Sequence, residues 1–130
     1  MKETPVSKLV QLELSHFGSI PMRNNVGVAV DETGRHIRYG LMNESPTVNK
    51  RIKSSDIIAI TPLVITPAWI GHRVGVFTAI ETKASGWKFS QADERAVAQA
   101  AFHAIVREAG GFAGFATGPQ DVARILGIVG

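Results

Sequence analysis

The sequence predicts one α/β domain, a mixed β-sheet flanked by helices. Three observations lead there. Short apolar runs at 26–30, 56–61, 74–83 and 112–117 have the length and composition of strands. Two stretches, 5–17 and 90–109, carry helical periodicity or strong helix formers. The 130 residues suffice for one hydrophobic core and no second.

The elements follow in order. Thr4-Pro5 places a hydroxyl cap before a proline at the first helical position. Val6, Leu9, Val10, Leu14 and Phe17 then recur at helical spacing, and Gly18 stops the pattern, so a helix is predicted from about Pro5 to Phe17. Val26, Val28 and Val30 alternate, as in a strand with one buried face. Asp31-Glu32-Thr33-Gly34 is a turn, after which Arg35 to Leu41 returns as a polar strand. Residues 42–54 break any pattern and are predicted to be a loop. Asp56 to Thr61 is a strand buried on both faces.

Pro62 and Pro67 bracket a connection through Trp69 and Ile70 to Arg73. Val74 to Lys83 is the next strand. Ser90-Gln91-Ala92-Asp93 resembles a capping box that opens a helix running to Ala109, where Gly110-Gly111 ends it. Phe112 to Thr117 is a short strand, and Pro119 to Leu126 a last helix.

Composition narrows the chemistry. Apolar residues make up 45% of the chain, enough for a real core. There is no cysteine, which excludes disulfide scaffolds, thiolate zinc sites, iron–sulfur clusters and cysteine nucleophiles, and fits a cytoplasmic setting. No apolar run reaches the ~18 residues of a membrane span. The opening Met1 to Pro5 lacks an apolar signal core, so no secretion signal is expected. The net charge of +3 is compatible with an anionic partner. It is concentrated: Arg35, Arg38, Lys50, Arg51 and Lys53 face one acid, Glu44, between positions 35 and 53. A solvated loop is the plain account of that cluster, and a nucleic-acid surface the functional one.

The most informative stretch is Ile80-Glu81-Thr82-Lys83. Side chains alternate along a strand, so Glu81 and Lys83 project from the same face at the end of an apolar run. An edge salt bridge explains the pair equally well on spacing alone. Asp56 opens the preceding strand. Antiparallel pairing of the two strands would bring Asp56 beside Glu81, with Lys83 close by. Two carboxylates in one place repel unless a cation lies between them, and oxygen ligands suit Mg²⁺ or Mn²⁺. The Thr82 carbonyl would complete the protein's share of ligands. Taken alone, Asp56 is equally an ordinary strand-start residue.

Glu13 falls in the middle of the first helix's apolar stripe, where a carboxylate needs a partner or a metal; otherwise it bends out to water. Gln91 stands at the expected start of the long helix, where an amide can hold a phosphate oxygen or simply occupy the first turn. No nucleophile elbow, phosphate-binding glycine loop or histidine metal spacing is present, and nothing calls for an organic cofactor.

In order, the chain carries Arg23-Asn24-Asn25-x-Gly27, Gly34-Arg35-x-Ile37-Arg38-Tyr39-Gly40, Ser55-Asp56-Ile57-Ile58, Ile80-Glu81-Thr82-Lys83, Phe89-Ser90-Gln91 and Gly110-Gly111. This series resembles the PD-(D/E)XK nuclease superfamily, and within it the small stand-alone VRR-NUC type of phages and bacteria. The resemblance implies one nuclease domain over 1–130, with an αβββαβ core plus a C-terminal helix. It implies Asp56, Glu81 and Lys83 as core catalytic residues, Gln91 as the helix glutamine and Glu13 as a first-helix glutamate. Asp56, Glu81 and the Thr82 carbonyl would hold Mg²⁺, with Mn²⁺ able to substitute.

The implied activity is structure-specific cleavage of DNA, such as four-way junctions or flaps. Arg23, Asn24, Arg35, Arg38, Lys50, Arg51 and Lys53 would follow the DNA, and a homodimer would match a two-fold junction. Two departures are plain: Ser55 replaces the usual proline before the aspartate, and Lys53 replaces a glycine just upstream. A non-catalytic nucleic-acid-binding protein of the same fold is the alternative.

Overall fold

The structure, a computed structural model, describes residues 3–127. Backbone contacts divide the chain into two compact units, Met1–Thr61 and Pro62–Gly130. Both mix helix and strand, so the α/β class holds.

The first unit contains α1 (Glu3–His16), β1 (Ile20–Arg23), β2 (Gly27–Val30), β3 (His36–Tyr39), α2 (Pro46–Arg51) and β4 (Ile57–Ile60). α1 begins two residues before the predicted Pro5, and the side chain of its expected cap, Thr4, lies outside the described residues. The helix ends where predicted. Gly18 takes a φ of +82°, and the Ser19 N–H reaches back to the Leu14 carbonyl over 3.0 Å.

α1 packs on the antiparallel pair of β1 and β4, in which Ile20 faces Ile60 and Arg23 faces Ile57. Its half-buried positions are Ser7, Gln11 and Leu14, not the Val6–Leu9–Val10 stripe, which is exposed. Hydrogen bonds settle this face: the Arg23 guanidinium donates to Ser7 Oγ over 2.7 Å, and the Gln11 amide to the same oxygen over 3.3 Å. Glu13 is therefore not inside a buried stripe. It is solvent-exposed beside His16, 3.3 Å from its Nδ1.

β2 and β3 form the predicted antiparallel hairpin, Gly27 opposite Tyr39. The Asp31 carboxylate accepts from the Thr33 and Arg35 amides, each over 2.9 Å, and so builds the turn. The expected buried face is not found. Val28 is exposed, and Val30 is 61% exposed, because among the described residues no helix or further strand packs extensively on this two-stranded ribbon.

Residues 46–51, expected as loop, are the helix α2. Ser45 caps it, accepting from the Val48 amide over 3.2 Å, with Pro46 at its first position.

The second unit contains a 3-10 turn (Pro67–Trp69), β5 (Thr78–Thr82), α3 (Glu94–Glu108), β6 (Phe112–Ala116), a second 3-10 turn (Pro119–Asp121) and α4 (Val122–Ile125). β5 and β6 are parallel, Glu81 opposite Phe115, with α3 as the crossover. α3 buries Ala96, His103 and Val106 against β6, whose Ala113 and Ala116 are also buried. Gly111 permits the tight return, since a Cβ there would lie 2.7 Å from both the Phe77 carbonyl and Val106 Cγ1.

Two further expectations are corrected. α3 starts at Glu94 with Asp93 as its cap, accepting from the Ala96 amide over 3.0 Å. Ser90 instead bonds the Ala92 amide over 3.2 Å, so Gln91 lies in the turn before the helix. β4 also does not pair with β5. β1 occupies the partner position of β4, and the α3 crossover returns β6 beside β5, so the expected antiparallel ladder from Asp56 to Glu81 is not among those formed.

Candidate functional site

The predicted site residues fall into two clusters, one in each unit.

In the first unit an open cleft of about 770 Å³ is lined by Asn24, Arg38, Asn49, Lys53, Ser54 and Asp56, among others. Asn24 organises one wall. Its Nδ2 donates to Ser54 Oγ over 2.8 Å and to the Ser55 carbonyl over 2.9 Å, while its Oδ1 accepts from the Leu41 amide over 3.1 Å. Its own amide donates to the Asp56 carbonyl over 2.8 Å. Asn24 thus fixes the backbone that presents Asp56. Its amide group is engaged within the protein rather than held out toward DNA.

Arg38 is fastened as well. Its Nε donates to the Asn43 carbonyl over 2.9 Å and its Nη2 to Asn43 Oδ1 over 2.7 Å. Asn43, only 3% exposed, passes the connection on, donating to the Gly27 and Tyr39 carbonyls over 2.8 Å each. This buried asparagine was not singled out from the sequence, where it reads as one more polar residue of a loop.

Lys53 Nζ bonds the Asn49 carbonyl and Oδ1, over 3.1 and 2.8 Å, closing the end of α2. Lys50 and Arg51 lie exposed in the last turn of α2. Arg35 is held near Asp31, Nε to Oδ2 3.3 Å, and Arg23 is turned to α1. Asp56 is exposed, and its carboxylate has no hydrogen bond or ion pair among the described residues.

In the second unit Glu81, half-buried in β5, lies toward α3, while Ile80 and Thr82 are exposed and line a second hollow with the half-buried Lys83, the residue just after the strand. Lys83 extends the ladder, its amide donating to the Ala116 carbonyl over 2.9 Å. Glu81 and Lys83 form no ion pair with each other: among the described residues the pairs are Glu13–His16, Asp31–Arg35 and Asp121–Arg124. The Lys83 ammonium instead lies 5.3 Å from the Trp87 ring centroid and 5.8 Å from that of Phe115.

Glu81 lines a hollow with Arg95, Gln99, Phe102 and His103 of α3. Gln99 Oε1 is buried there without a hydrogen-bond partner. The glutamine of the long helix that neighbours the candidate carboxylate is therefore Gln99, not Gln91. Both lie near Lys83 in sequence, and the misplaced helix start favoured the wrong one. Burial pushes the His103 pKa below the usual imidazole value, the Arg107 charge adds to this, and Glu81 opposes it.

Among the described residues no group of three or more His, Asp or Glu side chains is placed to hold a metal ion. No helix of the described residues is long and apolar enough to cross a membrane. Comparison with protein-family models, with curated proteins and with solved structures finds no match to this chain.

Proposed function

We propose that the protein is a metal-dependent, structure-specific DNA endonuclease of the VRR-NUC type. One observation carries most of the reading. Glu81 and Lys83, at the end of β5, do not neutralise each other among the described residues, and Glu81 neighbours Gln99, whose buried oxygen has no partner there.

The donor chemistry suits a hard divalent cation. Glu81 in the second unit and Asp56 in the first each supply a carboxylate free of ion pairs among the described residues, and Mg²⁺ commonly takes one or two carboxylates with water and phosphate oxygens. The Thr82 carbonyl is the ligand beside Glu81 in this reading, and Mn²⁺ substitutes for Mg²⁺. When bound, such an ion supplies Lewis-acid polarisation of the phosphate and a more acidic water. Lys83 orients that water and offsets charge developing on the phosphate. In this reading Gln99, beside Glu81, is the helix glutamine that positions the reacting groups, while Gln91 lies in the turn before α3 and Glu13 is exposed beside His16. Lys50 and Arg51 are the exposed cations best placed to meet phosphates. A homodimer acting on branched DNA in the cytoplasm completes the reading.

The test is nicking of a labelled four-way junction, a flap and a linear duplex with Mg²⁺, by the wild type and by Glu81→Gln. Metal-dependent cutting of the branched substrates, lost in the variant, is expected. Binding by the wild type without metal-dependent cutting would sink the enzyme and leave the non-catalytic DNA-binding protein.

A further inference from the structure

On the Trp87 side of the second unit is another hollow, of about 430 Å³, that the nuclease reading does not use. Its lining combines Trp87, Phe115 and His103 with Arg107, Arg124 and Asp121. The rings form one cluster: Trp87 and Phe115 have centroids 4.8 Å apart, and His103 meets Phe115 edge-on, also at 4.8 Å. His103 is 4% exposed, lines the hollow, and makes no hydrogen bond among the described residues. Its ring nitrogens are not among the fully buried unpartnered atoms, so they remain open to a partner entering the hollow.

The arginines are fixed rather than free. Arg107 donates to the Ala113 carbonyl over 3.0 Å and Arg124 to the Phe115 carbonyl over 3.1 Å. Asp121 neutralises part of this charge. Its carboxylate lies 3.4 Å from Arg124 and accepts from the Thr117 amide over 2.8 Å, a bond that holds its pKa below the usual carboxylate value. Two guanidinium groups against one carboxylate leave the rim positive.

We infer that this hollow receives a single unpaired nucleobase, stacked on the Trp87–Phe115 cluster, with His103 bonding its edge and Arg124 beside its phosphate. Volume, aromatic walls, an imidazole without a partner among the described residues and a positive rim together suit a nucleotide. The inference rests on the nucleic-acid reading above and names the part of the substrate this surface takes: a base outside a duplex, as at a junction or flap. The Lys83 ammonium lies 5.3 and 5.8 Å from the centroids of the same two rings.

The experiment follows Trp87 fluorescence in a Trp69→Phe chain, with EDTA present so that nothing is cut. A short oligothymidylate should quench the signal saturably. A strand of equal length and charge but without bases, and a blunt duplex, should bind about ten-fold more weakly or worse, the loss expected when a stacked base is removed. Phe115→Leu should weaken the oligothymidylate similarly.

Thymidine monophosphate separates two sources of the base. Binding weaker than the strand assigns the hollow to a base within DNA, and equal binding assigns it to a free nucleotide. Equal quenching by the base-free strand, or none by any ligand, overturns the inference without recourse to a variant. Base-selective quenching that survives Glu81→Gln, with no cutting by the wild type, would fail the nuclease and keep the hollow. Cutting without base selectivity would do the reverse.

Discussion

The Asn24 amide donates to the Asp56 carbonyl over 2.8 Å, and the Asn24 side chain bonds the two residues just before Asp56. One residue after β1 thus fixes the backbone that carries a candidate metal ligand. Asn24→Ala leaves Ser54, Ser55 and Leu41 without that side-chain partner. It should lower stability by about 1–3 kcal/mol in urea unfolding and reduce metal affinity in calorimetry. Unchanged metal binding would separate Asn24 from the site.

Lys50 and Arg51 are the clean probes of the basic segment, because Lys53 also ties off α2. Replacing both with glutamine should reduce the slope of log K against log salt for duplex DNA by about 2. An unaltered slope would remove α2 from the DNA path.

Lys83→Met should reduce cleavage about 10²-fold or more while duplex binding changes little. Its loss also removes a cation from beside the Trp87 and Phe115 rings, so the Trp87 emission should shift. Equal losses of binding and cutting would make Lys83 a DNA anchor rather than a participant in chemistry.

Gly40 has a φ of +91°, and a Cβ there would meet the Asn25 carbonyl at 2.5 Å. Gly40→Ala should therefore destabilise the chain by more than about 1 kcal/mol. Gly34, also at positive φ, faces open space, and Gly34→Asn should be nearly neutral because asparagine tolerates that conformation. Equal melting temperatures for the two variants would contradict this backbone geometry.

Asp31 has a pKa held below its ordinary value, first by the Thr33 hydroxyl and then by the Arg35 amide. A carboxylate with a depressed folded pKa contributes stability above its unfolded value of about 3.9 and loses it as pH falls through the folded pKa. Thermal melts from pH 6 down to pH 2 should show a smaller acid-side decline in Asp31→Asn. An identical decline would place the acid sensitivity elsewhere.

Much of the fold was legible locally. The 31–34 turn, the Gly18 stop and the Gly110-Gly111 return each follow from one residue type with one conformational property. The α2 helix was legible too, since Ser45-Pro46 repeats the hydroxyl–proline signal of Thr4-Pro5, but its six residues show no apolar periodicity. Strand partnership was not legible: 57–60 is wholly apolar and 78–82 mixes apolar with polar residues, yet nothing local in either selects β1 or β6. The same limit affected the site. Glu81 and Lys83 follow from strand alternation, whereas Gln99, Asn43 and His103 gain meaning only from what surrounds them. Glu13 was misread because hydrogen bonds, not the apolar stripe, decide which face of α1 meets the strands.

The parallel pairing of β5 with β6 also sets an order of events. The β2–β3 ribbon closes over residues 31–35, a local search completed within microseconds. β6 must wait for residues 83–111 to wind α3 before it can find its register. During synthesis the half carrying Asp56 can therefore assume its structure while the half carrying Glu81 and Lys83 is still a nascent strand without its neighbour.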